Sequence, residues 1–103
     1  MYSFFYITSK NEYEAKKIAN TLLKKRLIAC ANIYKKINSY FLWKNKITKS
    51  KEVVLMGKTI KKNQKKIVKE VKKIHSYEVP CIIFSNISSG NKYFLNWIKS
   101  SVK

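Results

Sequence analysis

Two long apolar-rich runs fill the middle of this 103-residue chain and constrain its fold more than any other feature. They cover residues 27–43 and 47–59, within the stretch from Arg26 to Thr59. The polar corner Trp43-Lys44-Asn45-Lys46 between them is typical of a β-hairpin turn. A strand of about 15 residues would reach roughly 50 Å, too far for a chain of this size to bury alone. Such a hairpin needs a bulge, a covering element or another chain along its edge, so it indicates an oligomer.

The apolar pattern along the whole chain predicts the order β-α-β-β-α-β followed by a C-terminal helix. The predicted elements are a strand over Tyr2–Thr8, a helix with an apolar stripe from Ala15 to Leu23, the two hairpin strands, a helix over Ile60–Ile74, a strand over Val79–Ile87 and a helix carrying Tyr93–Ile98. Either Ser9, in a capping box with Glu12, or Asn11 is a suitable N-cap for the first helix. This order predicts a single α+β domain over residues 1–103, a ferredoxin-like βαββαβ sandwich with an extended β2-β3 hairpin.

The net charge of +18 raises the hypothesis of a nucleic-acid partner. Of the 23 basic residues only Arg26 is an arginine, although nucleic-acid readers use arginine for bidentate contacts. Abundant Lys, Asn, Ile and Tyr together are also what codons rich in A and T encode. Nucleic-acid binding through the Lys-rich surface therefore stays the alternative hypothesis, and its signature would be steep weakening by salt.

The sequence offers no indication of export or membrane insertion. It contains no uncharged apolar run of about 18 residues, the length that a spanning helix needs. The apolar N-terminus, residues 1–7, alternates like a strand and has neither the basic segment nor the cleavage site of a signal peptide. Cys30 and Cys81 are typical of free thiols in a reducing compartment. We therefore expect a cytoplasmic protein without a membrane partner.

Two familiar kinds of catalytic motif are excluded by the residues present. Gly57-Lys58-Thr59 resembles the end of a phosphate-binding loop, but the glycine required five positions earlier is Glu52. The chain has no Asp, a single His and five Glu, so a Ser-His-Asp triad is unavailable and general acid-base chemistry has few candidates. We expect no enzyme activity.

The segment from His75 to Cys81 is the best candidate for a metal site. It places an imidazole, the Glu78 carboxylate and a thiol within seven residues, a donor set that suits a soft or borderline metal. A lone histidine at a helix end more often forms a hydrogen bond with a free backbone carbonyl. Both interpretations stay open from the residues alone.

Several segments together resemble the CutA divalent-cation tolerance family, in the order and spacing of that family. They are 26–33 (RLIACANI), 39–43 (SYFLW), 52–59 (EVVLMGKT), 75–80 (HSYEVP) and 93–98 (YFLNWI). The resemblance implies a ferredoxin-like subunit in a homotrimer that resembles the PII signalling proteins, with clefts between subunits. It also implies a role in tolerance of copper and other divalent metals, no enzyme activity, and an adaptor function towards an unidentified protein partner.

The resemblance also implies roles for individual residues. His75 becomes the principal metal ligand, helped by Cys81 or Glu78, and Tyr77 lines the same cleft. Lys58 and Trp43 are placed at the cleft between subunits. Cys81 stands where the family commonly has an acidic residue, and a sulfur donor favours Cu(I) or Zn over a hard cation.

Overall fold

The computed structural model describes the whole chain, Met1–Lys103, and contains one four-stranded antiparallel sheet with three α-helices. The elements are β1 (Tyr2–Ser9), α1 (Glu12–Lys24), β2 (Cys30–Trp43), β3 (Lys46–Ile60), a 3-10 turn (Lys61–Asn63), α2 (Gln64–Ile74), β4 (Ile82–Asn86) and α3 (Lys92–Ser101). The strand order is β2-β3-β1-β4. The predicted ferredoxin-like α+β fold is therefore confirmed. None of the helices has the length and apolar character needed to cross a bilayer.

One face of the sheet is covered by α1 and α2 and holds the main core. Alternation along β1 directs Phe5 and Ile7 to this face, where Leu55 of β3 lies opposite Ile7. The helices contribute apolar side chains at helical spacing, and this packing buries the members of the cluster almost completely. Its ten members are Phe5, Ile7, Ile18, Ala19, Leu22, Leu27, Ile28, Leu55, Ile67 and Val71. Each fully buried aliphatic side chain contributes about 1.5–3 kcal/mol to stability.

The opposite side of the sheet, which we call the open face, is covered only at one end. There Ile98 of α3 and Val102, which follows the helix, pack against Ala29 and Ile60. The uncovered part carries side chains that the strand register places on one side: Phe4, Tyr6 and Thr8 of β1, Tyr34 of β2, Val54, Met56 and Lys58 of β3, and Ile83 of β4. Large apolar side chains are left in solvent here, with Tyr34 52% and Ile83 57% exposed.

The β2-β3 hairpin projects beyond the rest of the sheet and makes the longest dimension of the molecule 44 Å. Its turn residues Lys44 and Asn45 have φ values of 51° and 66°, as a two-residue type I′ turn requires. The predicted corner is therefore confirmed. Asn tolerates this left-handed conformation better than most residues.

A β-bulge at Lys35 and Lys36 interrupts the pairing of the hairpin, because Tyr34 pairs with Val54 but Ile37 pairs with Glu52. Lys36 takes the left-handed conformation, with φ 61°. The extra residue reverses the alternation of β2. Between the bulge and the turn, the odd-numbered side chains of β2 lie on the open face. This is the face that also carries Glu52.

Several predicted boundaries were wrong for identifiable reasons. The second helix begins at Gln64 rather than Ile60, because Ile60 is held in the sheet opposite Tyr2. The last strand begins at Ile82 rather than Val79, since Pro80 has no backbone N–H to donate.

The first helix is capped by Asn11 and not by Ser9. The Asn11 side-chain oxygen accepts a 2.9 Å hydrogen bond from the N–H of Glu14. Ser9 remains the last residue of β1, where its hydroxyl donates to the carbonyl of Val53. Leu23, expected on the buried stripe, is 39% exposed because the helix buries a narrower face.

Candidate functional site

A groove of about 720 Å³ lies where the projecting hairpin meets residues 75–81, the connection between α2 and β4. We call it the hairpin groove. Phe41 and Trp43 of β2 line it because the bulge turns them to the open face. Glu52 of β3 and Tyr77 of the connection line it opposite them. The groove therefore combines aromatic walls with a carboxylate.

Glu52 and Tyr77 are joined by a hydrogen bond. The Tyr77 hydroxyl donates to Glu52 Oε2 over 2.8 Å. Burial raises the pKa of the Tyr77 phenol far above its ordinary value, and the Glu52 carboxylate raises it further. The phenol therefore stays protonated and acts as a donor. Glu52 is only 8% exposed, and its second oxygen, Oε1, makes no hydrogen bond within the chain.

His75 ends α2 and has both ring nitrogens engaged. Its Nε2 lies 2.7 Å from the carbonyl oxygen of Thr8, which can only accept, so Nε2 carries the proton. Its Nδ1 accepts a 3.1 Å hydrogen bond from the backbone N–H of Tyr77. In this arrangement no ring nitrogen has a lone pair free for a metal. The role of His75 as principal ligand stays a prediction, and it requires one of these two bonds to open.

A buried carboxylate, Glu14 of α1, anchors the same connection. Its two oxygens accept hydrogen bonds from the backbone N–H groups of Ser76, at 2.8 Å, and Lys10, at 2.9 Å. Burial alone raises the pKa of Glu14, but these hydrogen bonds outweigh it and hold the pKa below its usual value. The connection is thus tied to α1, β1 and β3 by side chains of Glu14, His75 and Tyr77.

Cys81 and Glu78 lie along the hairpin groove. Cys81 is a free, half-buried thiol, and burial raises its pKa, with a further contribution from the Glu52 charge. The thiol therefore stays protonated near neutral pH, and a metal would have to displace its proton. Two donors of one subunit fall short of the three or four that metal sites normally use.

Of the remaining predicted site residues, the structure separates Lys58 and His75 from this groove. Lys58 lies on the open face, where its ammonium group donates a 3.1 Å hydrogen bond to the side-chain oxygen of Asn32. Trp43 and Tyr77 line the groove, whereas His75 does not. No set of three or more His, Cys, Asp or Glu side chains is placed to hold a metal ion. The residues of one subunit therefore do not form a complete metal site, and the assignment of His75, Cys81 and Glu78 as ligands stays a prediction.

Sequence reasoning missed the two carboxylates that organise this region, Glu14 and Glu52. The sequence did contain a signal that could have identified Glu52 as a site residue. It is the one charged residue of the buried run 52–57, and it stands at its start. No comparable sequence signal distinguished Glu14, since a Glu in the first turn of a helix is common. Only the fold shows that its carboxylate faces the N–H of Ser76.

The basic surface on which the alternative hypothesis rests lies mainly on the outer side of α2. Its exposed lysines are Lys65, Lys66, Lys69, Lys72 and Lys73, with Lys61 and Lys62 in the preceding turn. Glu70 is the only acidic residue of α2, and it pairs with Lys25 and Lys73 at 3.5 and 3.1 Å. The lysines are solvated as ordinary exposed side chains, and nucleic-acid binding stays a hypothesis.

Comparison with known proteins agrees with this fold and with the motifs of the sequence. The family model described as CutA1 divalent ion tolerance protein matches residues 3–101. The divalent-cation tolerance protein CutA of Archaeoglobus fulgidus is 42% identical over 103 residues, covering 100% of both chains. That of Thermotoga maritima is 37% identical over 97 residues, covering 94% of this chain and 95% of the relative. The solved divalent cation tolerance protein from Thermus thermophilus superposes with a TM-score of 0.97 at 32% identity, covering 100% of both chains. The chain belongs to the CutA divalent-cation tolerance family.

Proposed function

We propose that this chain acts in divalent-cation tolerance as a non-enzymatic homotrimer, with the hairpin groove as its ligand-binding site. Membership of the CutA family supports the general role in tolerance. The main observation in support of a trimer is the open face. In an isolated subunit, Tyr34 and Ile83 on this face are more than half exposed. Contiguous apolar surface of this kind is typical of a protein interface.

The edge of the sheet supports assembly as well. β2 is an outer strand of 14 residues, so one side of it has unpaired backbone N–H and C=O groups. Long exposed strand edges pair readily with another chain. The hairpin also exposes Leu42 and Ile47, at 73% and 83%, which a partner subunit would cover. The choice of three copies follows the family resemblance, and the exposed apolar surfaces and the free strand edge support it.

Copper is the metal that we propose to test first. Cys81 supplies a soft sulfur donor and Glu78 a carboxylate, and both line the groove. The remaining ligands would come from a second subunit or from solvent, and His75 would join them only when its bond to Thr8 or its bond to Tyr77 opens. A trimer whose groove responds to a cation in this way would also serve as a PII-like adaptor for a protein partner in the cytoplasm.

The experiment compares metal tolerance of cells that lack their own CutA-type protein and express either this chain or a Cys81→Ser variant. We expect the wild-type chain to restore growth in copper and the variant to restore it less. Native mass spectrometry of the metal-stripped protein then measures copper uptake by the wild type, Cys81→Ser and His75→Ala. Failure of the wild type to restore tolerance of any divalent metal would overturn the proposed function.

A further inference from the structure

We propose that the hairpin groove binds a primary organic ammonium ion, with its charge on Glu52 and its alkyl chain against Phe41, Trp43 and Tyr77. This goes beyond a role in metal tolerance, because the ligand is an organic cation rather than a metal. The residues that carry it all belong to one subunit and all line the same groove.

The size of the groove is the first argument. Its volume of about 720 Å³ lies within the roughly 300–1,000 Å³ that is usual for small-molecule sites. A bare metal ion would fill a small part of this space and would find no set of three protein donors. An alkylammonium ion has both a charge and an apolar surface, which are the two things that this groove can recognise.

The charge of the groove is the second argument. Glu52 is a nearly buried carboxylate whose Oε2 is already bonded to Tyr77. The hydroxyl fixes the orientation of the carboxylate and leaves Oε1 able to accept a hydrogen bond from an ammonium N–H. Glu78 adds a second negative charge along the groove and Lys49 adds one positive charge, so the lining carries more negative than positive charge even though the chain as a whole carries +18.

The aromatic walls are the third argument. Aromatic faces attract cations within about 6 Å of the ring centroid, more strongly when water is excluded. The hairpin already shows such a contact, since the Lys49 ammonium lies 5.7 Å from the centroid of the Tyr40 ring. Trp43 lies on the opposite hairpin strand and on the same face as Glu52, but it pairs with Lys46 at the turn whereas Glu52 pairs with Ile37. We therefore place the Trp43 ring against the alkyl chain of the ligand and not against its ammonium group.

The test is calorimetric titration of the assembled wild-type protein with n-pentylammonium chloride, with 1-pentanol as a neutral probe of the same length. We expect saturable binding of the ammonium, one per subunit, and much weaker binding of the alcohol. Glu52→Gln keeps an oxygen for the Tyr77 hydroxyl but removes the charge, so we expect about a tenfold or greater loss of affinity. Glu12→Gln, on the exposed side of α1, is the matched control and should bind like the wild type.

A second variant keeps the test valid in case Glu52→Gln folds poorly. Trp43→Leu changes a side chain next to the hairpin turn, outside both buried clusters, and should lower the affinity several-fold. Equal affinity for pentanol, full affinity of both variants, or no saturable binding by the wild type would overturn the inference. Metal tolerance and copper uptake are measured separately and would not be affected by those results. The proposal of ammonium binding and the proposal of metal tolerance can therefore fail independently.

Discussion

The hydroxyl of Tyr77 donates a 2.8 Å hydrogen bond to the carboxylate of Glu52, 25 residues earlier in the chain. This bond ties the connection between α2 and β4 to the base of the projecting hairpin. It also sets the orientation of the only nearly buried carboxylate in the groove. The groove therefore exists in its observed shape because a loop and a strand are joined at this point.

Replacing Tyr77 by Phe removes that hydrogen bond and keeps the ring. We expect the free energy of unfolding to fall by roughly 1–2 kcal/mol, because the Glu52 carboxylate loses its donor in a nearly buried position. Urea unfolding at a fixed protein concentration measures the change. Tyr13→Phe is the control, since Tyr13 is 77% exposed. Equal losses in the two variants would show that the Tyr77 bond adds nothing to stability.

Glu14 makes stability depend on pH in the acidic range. Its pKa is lowered in the folded protein from the ordinary value of 4.5, so it stabilises the fold above that value and loses this contribution as the pH falls through the folded pKa. We expect Glu14→Gln to be less stable than the wild type at pH 7 and to converge towards it in acid. Unfolding curves from pH 7 down to the acid limit give the comparison. A constant difference at every pH would contradict this role of the Glu14 charge.

Gly57 allows β2 and β3 to meet beneath an aromatic ring. A Cβ atom there would collide with the carbonyl oxygen of Cys30 and lie 2.5 Å from the ring of Phe5. We expect Gly57→Ala to destabilise the protein by about 1–3 kcal/mol or more, as overpacked cores are. Gly90→Ala is the control, because its Cβ would meet only the Leu95 side chain, at 3.3 Å. Thermal unfolding that ranks the two variants equally would contradict the close approach at Gly57.

The single histidine offers a direct spectroscopic check of the site. Since the Thr8 carbonyl accepts from Nε2 and the Tyr77 N–H donates to Nδ1, we expect the neutral Nε2–H tautomer. Long-range ¹H–¹⁵N NMR of the imidazole distinguishes the two tautomers without interference, because the chain has one His. The same spectrum recorded with copper shows whether a ring nitrogen becomes a ligand. The Nδ1–H tautomer in the metal-free protein would contradict the described arrangement.

The element order and the hairpin turn could be predicted because their signals are local. Apolar spacing located α1 and α2, and the corner around Lys44 and Asn45 has the composition of a tight turn. The bulge at Lys35 and Lys36 has no such signal, yet it decides that Phe41 and Trp43 face the groove. Sequence patterns placed the aromatic residues in the right strand, whereas the face that they occupy follows from the bulge.

The site itself depended on contacts between distant parts of the chain. The His75 ring meets the carbonyl of Thr8, 67 residues away, and this contact engages a nitrogen that the sequence offered as a metal ligand. The Glu14 carboxylate meets the N–H of Ser76 across 62 residues. A hydrogen bond from His75 to a free carbonyl could be anticipated from its place at a helix end, but no local pattern shows that Thr8 supplies that carbonyl.

The mass of the assembled protein in solution tests the proposed trimer most directly. Light scattering of the purified wild type should give about three times the 12.2 kDa mass of the chain. Ile83→Glu places a charge on the open face and should dissociate the assembly, whereas Tyr13→Glu, on exposed α1, should leave it intact. A wild-type protein that stays monomeric at micromolar concentration would contradict the trimer, and with it the explanation given for the uncovered face of the sheet.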